Sequence, residues 1–457
     1  MPDTAVFSPG QPDIRAGRLN AAQYAQHFAD ATPPMNASQA MLESERCLYC
    51  FDAPCQTACP TDIDVPSFIK SISDGNLRGA ARTILESNPL GGMCARVCPT
   101  EVLCEQSCVR NTQTDTPIQI GRLQRHAVDA LMASQQPQLF SRAVATGKRI
   151  AVVGSGPAGL ACAHRLARLG NDVVIFDAKP KAGGLNEYGL ASYKTTDDFA
   201  QKEVQWLLDI GGISIQNGWR FDGAASLDKL QTEYDAVFLG LGLSKVQALG
   251  VPGEALENVR NAVDFIAELR QIEHVNQLPV GRRVVVIGGG MTAVDAAVQA
   301  KLLGAEEVHM VYRRGVETMG ASAAEQEWAQ TNGVVLHHWL APVEVLGSSH
   351  ATGVRFAEQT LVDGKLQATG KELVLGADMV FKAIGQKLDD KPLEATSLAL
   401  QGGRIVTAED GKTNLKGVWA GGDCRAGGRD LTVEAVEHGK RAAESMHKEL
   451  NLEANHG

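Results

Sequence analysis

No stretch of this 457-residue chain holds the roughly 18 consecutive apolar residues that a membrane-spanning helix needs, so no crossing is expected. The opening residues MPDTAVFSPGQPDIRAGRLN lack the apolar core of a signal peptide, which makes the cytoplasm the expected location. No basic stripe interrupts a formal charge of −10, which argues against nucleic acid or an anionic membrane as partner. No His lies between Cys47 and Cys108, and only one CxxC pair, Cys47 and Cys50, occurs there. After Cys108 only Cys162 and Cys424 remain, so a disulfide-reductase chemistry would lack its redox pair. Cys162 and Cys424 read as packed thiols, and His164, His309 and His438 as ordinary helix or strand positions.

What is present is concentrated. Eight of the ten cysteines fall between Cys47 and Cys108. They form two groups, Cys47-x2-Cys50-x4-Cys55-x3-Cys59-Pro60 and Cys94-x3-Cys98-Pro99-x5-Cys104-x3-Cys108. In a reducing cytosol such density points to metal rather than disulfides. A Cys run whose last member precedes Pro fits ligands shared between two [4Fe–4S] clusters, with one loop wrapping three corners and a distant residue closing the fourth. Val97 and Leu103 would shield the sulfurs from water. Two structural zinc sites are the alternative, though zinc sites favour CxxC pairs or His.

From Lys148 the pattern changes to short apolar strands, Gly-rich turns and helices. The segment KRIAVVGSGPAGLACAHRLARLGNDVVIFDA reads strand, turn, helix, strand. In its turn, Gly154 permits a tight bend, Gly156 lets backbone approach a pyrophosphate, and Gly159 lets helix pack on strand, with Pro157 and Ala158 opening the helix. Asp177 ends the next strand, 18 residues after Gly159, where an acid would bond a ribose hydroxyl. The plan repeats at 282–314, with the turn Gly288-Gly289-Gly290-Met291-Thr292-Ala293. That second unit ends in Arg313-Arg314 rather than an acid. An arginine pair suits a 2′-phosphate and favours NADPH, while a solvated strand end would leave NADH open.

Near the end, a short strand runs into Gly421-Gly422-Asp423, a pattern that in two-dinucleotide-domain flavoproteins places a carboxylate at the flavin ribityl chain. Thr432 and Val433 then begin a helix whose amides would face the flavin ring. Gly184, Leu185 and Gly242 complete the expected flavin contacts. The segment 234–242 (YDAVFLGLG) is echoed at 377–385 (ADMVFKAIG), so two related nucleotide-binding domains are expected, the second inserted in the first. The expected architecture is a helical iron–sulfur domain (1–145) followed by two α/β Rossmann-like domains. One binds FAD (146–267 and 385–457) and the other NAD(P)H (268–384). Within the first domain, helical spacing is expected through 65–87 and again through GRLQRHAVDALMAS, before a polar linker near 135–138.

With these residues together, the chain from about Arg46 onward resembles the NAD(P)H-accepting, FAD- and iron–sulfur-containing part of dihydropyrimidine dehydrogenases. Those belong to a flavoprotein family that includes the glutamate synthase small subunits. The shared motifs are CLYCFDAPCQTACP, GSGPAGL, GGGMTAVD and AGGD. The nearer likeness rests on CARVCPTEVLCEQSC followed by TPIQIGRLQR. The resemblance implies one cluster on Cys47, Cys50, Cys55 and Cys108, and a second on Cys59, Cys98, Cys104 and Gln124. The cysteine pattern by itself would have used Cys94 as the eighth ligand. Two departures stand out: Gly320 replaces a family Pro, and ASYKT around Lys194 replaces an Arg-Leu-Pro near the flavin.

The resemblance also implies the activity. Hydride would pass from NADPH or NADH to FAD, and electrons through two clusters to an FMN- and iron–sulfur-containing subunit that reduces uracil or thymine. A hetero-oligomer follows. No side-chain acid or base is required for hydride transfer to flavin, so no catalytic residue is assigned. The alternative enzyme is a glutamate synthase small subunit with a different acceptor. A non-enzymatic scaffold is the other alternative, although every Gly and Cys the chemistry needs is present.

Overall fold

A computed structural model describes residues 11–134 and 136–454. The first ten residues, and Gln135 of the expected linker, lie outside the described residues. Among those described, no helix is long and apolar enough to cross a membrane.

The Cys-rich segment is helical, and three of its helices start at a side-chain cap. Asn36 and Gln39 form a reciprocal capping box at Ala37–Glu45. Asp64 accepts from Ser67 N–H at the start of Val65–Ser73. The expected run through 65–87 is two helices, Val65–Ser73 and Leu77–Ser87. Gly75, at φ +74°, breaks the first, and Asn76 caps the second through Gly79 N–H. Phe68, Ile69, Ile84 and Leu85 are fully buried where these helices pack. The third long helix, Ile120–Met132, buries Leu123, Ala127 and Val128.

Each Gly-rich turn sits in its own five-stranded, wholly parallel sheet. The first has the order Val418–Ala420, Ala236–Leu239, Arg149–Val153, Asp172–Asp177, Ile213–Asn217. The second has the order Val335–His337, Glu307–Val311, Arg283–Ile287, Met379–Lys382, Val259–Asn261. In both, the turn follows the central strand, and the echoed segment supplies the strand beside it. Both central strands are almost wholly buried runs of branched residues, as a sheet covered on both faces requires.

The chain forms two compact units. One comprises Met1–Ala31, Tyr188–Lys194 and Val246–Gln386. It holds the second sheet and an antiparallel meander of Leu340–Gly347, Ala351–Val362 and Lys365–Gly376. Residues up to Ala31 group here because Ile14–Arg15 pairs with Val280–Gly281 and Tyr24 is buried in this core. The other unit comprises Thr32–Glu187, Thr195–Lys245 and Lys387–Gly457, and carries both the cysteine helices and the first sheet.

Candidate functional site

The first cysteine group sits on a strained loop. Tyr49 and Ala53 adopt positive φ (49° and 38°), a conformation that side-chain-bearing residues avoid. Arg110 ties the loop down by donating to the Arg46 carbonyl at 2.7 Å, and Arg46 itself pairs with Glu43 at 2.6 Å. The result is a cavity lined by Cys47, Cys50, Cys55 and Cys108, walled by Val65, Ile69, Ile118 and Ile120. Burial, and then the neighbouring Cys108 and Cys47, push the Cys55 thiol up to about 12. Cys47 is raised by burial as well, with Cys108 and Cys50 adding. Cys47 and Cys55 therefore resist ionising beside two further cysteines unless a multivalent cation sits among them. The four fit a metal cluster. Among the described residues, no three His, Cys, Asp or Glu side chains converge on a single-ion position.

Cys59, Cys94, Cys98 and Cys104 form the second group. Cys98 is raised well above the usual thiol range by its hydrogen bond with the Cys94 thiol, then by burial, Cys104 and Cys59. Cys104 is raised by burial, then by Glu105, Cys59 and Cys55, which links the second group to the first. Gln124 is buried on the Ile120–Met132 helix, and its Nε2 donates to the Gly91 carbonyl at 2.7 Å. Cys94, buried beside Cys98, packs with Leu103 and Val433, and partly buried Cys59, Cys98 and Leu431 join that cluster. The start of the C-terminal helix, Thr432–Ala454, therefore touches the second cysteine group directly.

At Gly154 and Gly159 the first Gly-rich turn has no room for a side chain. A Cβ on Gly159 would lie 1.9 Å from the Gly154 carbonyl oxygen, and one on Gly154 (φ +99°) would lie 2.2 Å from that of Gly240. Gly184 approaches Gly156 backbone to backbone, so that a Cβ on Gly184 would meet the Gly156 Cα at 2.6 Å. Asp177 Oδ2 accepts from Ser155 N–H at 2.6 Å, which draws the acid to the turn. Pro157 and Ala158 start the helix Pro157–Arg168, and Leu185 starts a short helix after Gly184. Gly242, at φ +61°, follows the adjacent strand. Asp423, in the tight turn Gly422–Cys424, is pushed up to about 6 by burial and Asp430, with Arg404 opposing. Thr432 Oγ donates to Asn186 at 3.2 Å. A cradle of bare backbone beside a half-buried acid fits a dinucleotide.

The second turn repeats the geometry in the other unit. A Cβ on Gly288 would lie 2.2 Å from the Ala383 carbonyl oxygen, and one on Gly289 would lie 2.4 Å from the Tyr312 ring. Gly290 has open space, and Thr292 and Ala293 lie in the first turn of the helix Met291–Leu302. Arg313 and Arg314 are exposed just beyond the strand Glu307–Val311. Gly320 sits against Gly290 at an ordinary contact distance of 3.7 Å. Lys194 is held by Asp295 at 2.8 Å and Glu325 at 2.7 Å. All ten cysteines are free; Cys162 is fully buried, and Cys424 is held against the Leu239 and Gly421 carbonyls.

Residue patterns alone missed several supports. Glu105 accepts from Gly121 N–H at 3.0 Å and Glu43 from Gln119 N–H at 2.9 Å, so two carboxylates hold the start of the Ile120–Met132 helix. Glu203 does the same for Gly91–Val97. Their partners are remote in sequence, so no local signal marks them.

Comparison with known proteins agrees with this geometry. The family model for pyridine nucleotide-disulphide oxidoreductases matches residues 148–439. The model for dihydropyrimidine dehydrogenase domain II, 4Fe–4S cluster, matches residues 24–136. The NAD-dependent dihydropyrimidine dehydrogenase subunit PreT of Salmonella typhimurium is 34% identical, over 93% of this chain and 98% of its own. The glutamate synthase [NADPH] small chain of Halomonas elongata is 32% identical, over 95% of each chain. Among solved structures, Mycobacterium tuberculosis FprA in complex with NADPH shares the fold at TM-score 0.57 and 19% identity, over 67% of this chain and 86% of that one. The chain is an oxidoreductase with a pyridine-nucleotide and flavin part and an N-terminal 4Fe–4S part. It belongs to the pyridine nucleotide-disulphide oxidoreductase family, in the iron–sulfur flavoprotein group that includes dihydropyrimidine dehydrogenase subunits and glutamate synthase small chains.

Proposed function

We propose that this chain is the electron-input subunit of a dihydropyrimidine dehydrogenase. Its cofactors would supply hydride transfer from NADPH or NADH to FAD and single-electron transfer through two [4Fe–4S] clusters. The acceptor is a partner subunit holding FMN and iron–sulfur, which reduces uracil or thymine to the 5,6-dihydropyrimidine. The observation that carries this reading is the contact between Val433, at the start of the flavin-side helix, and the second cysteine group. From there Cys104 leads on to Cys55 and the first group.

The residues divide the work by position. Gly154, Gly156, Gly159 and Gly184 would seat the FAD pyrophosphate, Asp177 its ribose, and Asp423 its ribityl chain. Gly288, Gly290 and Ala293 would seat the nicotinamide dinucleotide, with Arg313 and Arg314 reading a 2′-phosphate. Cys47, Cys50, Cys55 and Cys108 would hold one cluster, and Cys59, Cys98, Cys104 and Gln124 the other. The Gln124 amide nitrogen donates to the Gly91 carbonyl, so its oxygen would be the ligand atom. Two units would serve these roles: the one of Thr32–Glu187, Thr195–Lys245 and Lys387–Gly457 would carry the clusters and FAD, and the nicotinamide would bind the one that includes Val246–Gln386, so the boundary expected at 267/268 falls near residue 245 because Val259–Asn261 joins the second sheet. The pyrimidine destination rests on Gln124 and the segment TPIQIGRLQR.

Anaerobic oxidation of NADPH and NADH with uracil tests the reading, using this chain alone and then with its copurifying FMN subunit. Uracil-dependent oxidation only with the partner is expected. A complex that instead reduces 2-oxoglutarate with glutamine and ignores uracil would make the chain a glutamate synthase small subunit.

A further inference from the structure

Glu203, in the helix Phe199–Leu208, has no solvent exposure. Its Oε1 accepts from Gly92 N–H at 2.8 Å and Met93 N–H at 3.1 Å. Those amides open the Gly91–Val97 helix, which carries Cys94 and ends at Cys98. Its Oε2 is buried without a hydrogen-bond partner among the described residues. The nearby cation is committed elsewhere: Arg96 grips Asp129 at 2.8 and 3.0 Å and lies 3.4 Å over the Phe199 ring. A buried carboxylate with one bare oxygen is unfavourable when charged, and neither the flavin cradle nor the cysteine sites use it.

We propose that Glu203 is the proton-binding group linked to electron arrival at the second cysteine site. The proposal rests on the electron-transfer reading above. As one electron reaches that site, Glu203 takes one proton from solvent and forms the O–H bond of a neutral carboxylic acid at Oε2. It releases the proton when the electron moves on. The electron comes from the reduced nicotinamide, and no bond in the chain breaks. One unit of negative charge arriving is thus matched by one proton.

The surroundings set the pH window. Burial, with a smaller push from Asp129, outweighs the downward pull of the two amides and Arg96 and leaves Glu203 at about 8. The charged groups facing it are Arg96 from Gly91–Val97 and Asp129, with its partner Arg125, from Ile120–Met132; His164 of Pro157–Arg168 packs on Trp206 of the Glu203 helix. Burial pushes His164 down to about 3, so it stays neutral in this window. Electron arrival adds a like charge and raises Glu203 further. Coupled proton uptake therefore begins near pH 8 and extends above it.

The test is a spectroelectrochemical titration of the holoprotein and its Glu203→Gln variant from about pH 7 to 10. The wild-type potential of the second cluster should be flat at the acid end. Above about pH 8 it should fall toward about 59 mV per unit, the one-electron value for a tenfold change. The variant should be flat throughout. A flat wild type, or the same slope in the variant, overturns the proposal. Should the variant not take up its clusters, infrared difference spectra of the wild type decide. A protonated-carboxyl band gained on reduction near pH 9, shifting in D2O, supports Glu203, and its absence overturns it. Clusters with pH-independent potentials sink this inference alone, whereas a chain that holds no iron–sulfur sinks the electron-transfer reading with it.

Discussion

Replacing Gly184 by Ala should weaken FAD binding sharply. Gly184 sits at φ +54°, and a Cβ there would lie 2.6 Å from the Gly156 Cα and 3.3 Å from its nitrogen. Both obstacles are backbone, which cannot swing aside as a side-chain tip does. The left-handed conformation costs a non-glycine residue about 1–2 kcal/mol, and overpacking adds about 1–3 kcal/mol. Gly218 provides the control: its φ is +76°, but nothing lies within 4 Å of its Cβ position. Gly218→Ala bears the first term only, so the difference between the variants isolates the clash at the turn. At tenfold per 1.4 kcal/mol, that difference is about 5- to 150-fold in FAD affinity. Fluorescence-quenching titration of FAD into apoprotein measures it, with thermal melts to separate unfolding from lost binding. Gly184→Ala binding FAD as well as Gly218→Ala does would refute the placement of flavin at the Gly156–Gly184 approach.

Removing the Arg313 and Arg314 side chains should lower kcat/KM for NADPH by about 10- to 150-fold, since a hydrogen bond to a charged group is worth about 1.5–3 kcal/mol. NADH should change little; equal losses for both nucleotides would exclude a 2′-phosphate contact. Cys162→Ala and Cys424→Ala should each retain NAD(P)H oxidation with a dye acceptor, and abolished turnover in either would reinstate a thiol step. Acid titration gives a third check. Burial raises Glu203 to about 8 from 4.5, so between those pH values the folded chain holds a proton that the unfolded chain releases. Its contribution to stability therefore falls as pH rises from about 4.5 to 8, and thermal melts of Glu203→Gln should gain on wild type across that range. Parallel melting curves would show that Glu203 stays ionised when folded.

Both nucleotide-binding units were legible because their requirements are local. Gly159 must be bare for the helix to close on the turn at Gly154, and the strand–glycine turn–helix pattern recurs at Gly288, although the backbone that Gly154 and Gly288 approach, at Gly240 and Ala383, is remote in sequence. The break between Ser73 and Leu77 was also written in the sequence, in Gly75 and Asn76, but helical spacing on either side masked it. Non-local features were not legible. The antiparallel pairing of Ile14–Arg15 with Val280–Gly281 joins segments with no mutual pattern. The contact of Glu203 with Gly92 spans 111 positions, and that of Lys194 with Asp295 links a loop to a distant helix. The joining of Cys108 to Cys47, Cys50 and Cys55 is likewise long-range; family resemblance, not spacing, anticipated it.

The central claim is that one chain carries electrons from a nicotinamide through FAD to two iron–sulfur sites. Anaerobically purified protein should hold one FAD and about eight iron atoms, four in each cluster. Stoichiometric NADPH should bleach the flavin and then raise a reduced-cluster signal by electron paramagnetic resonance. Zinc in place of iron, or a flavin that NADPH bleaches with no iron–sulfur signal following under a full reductive titration, would contradict it.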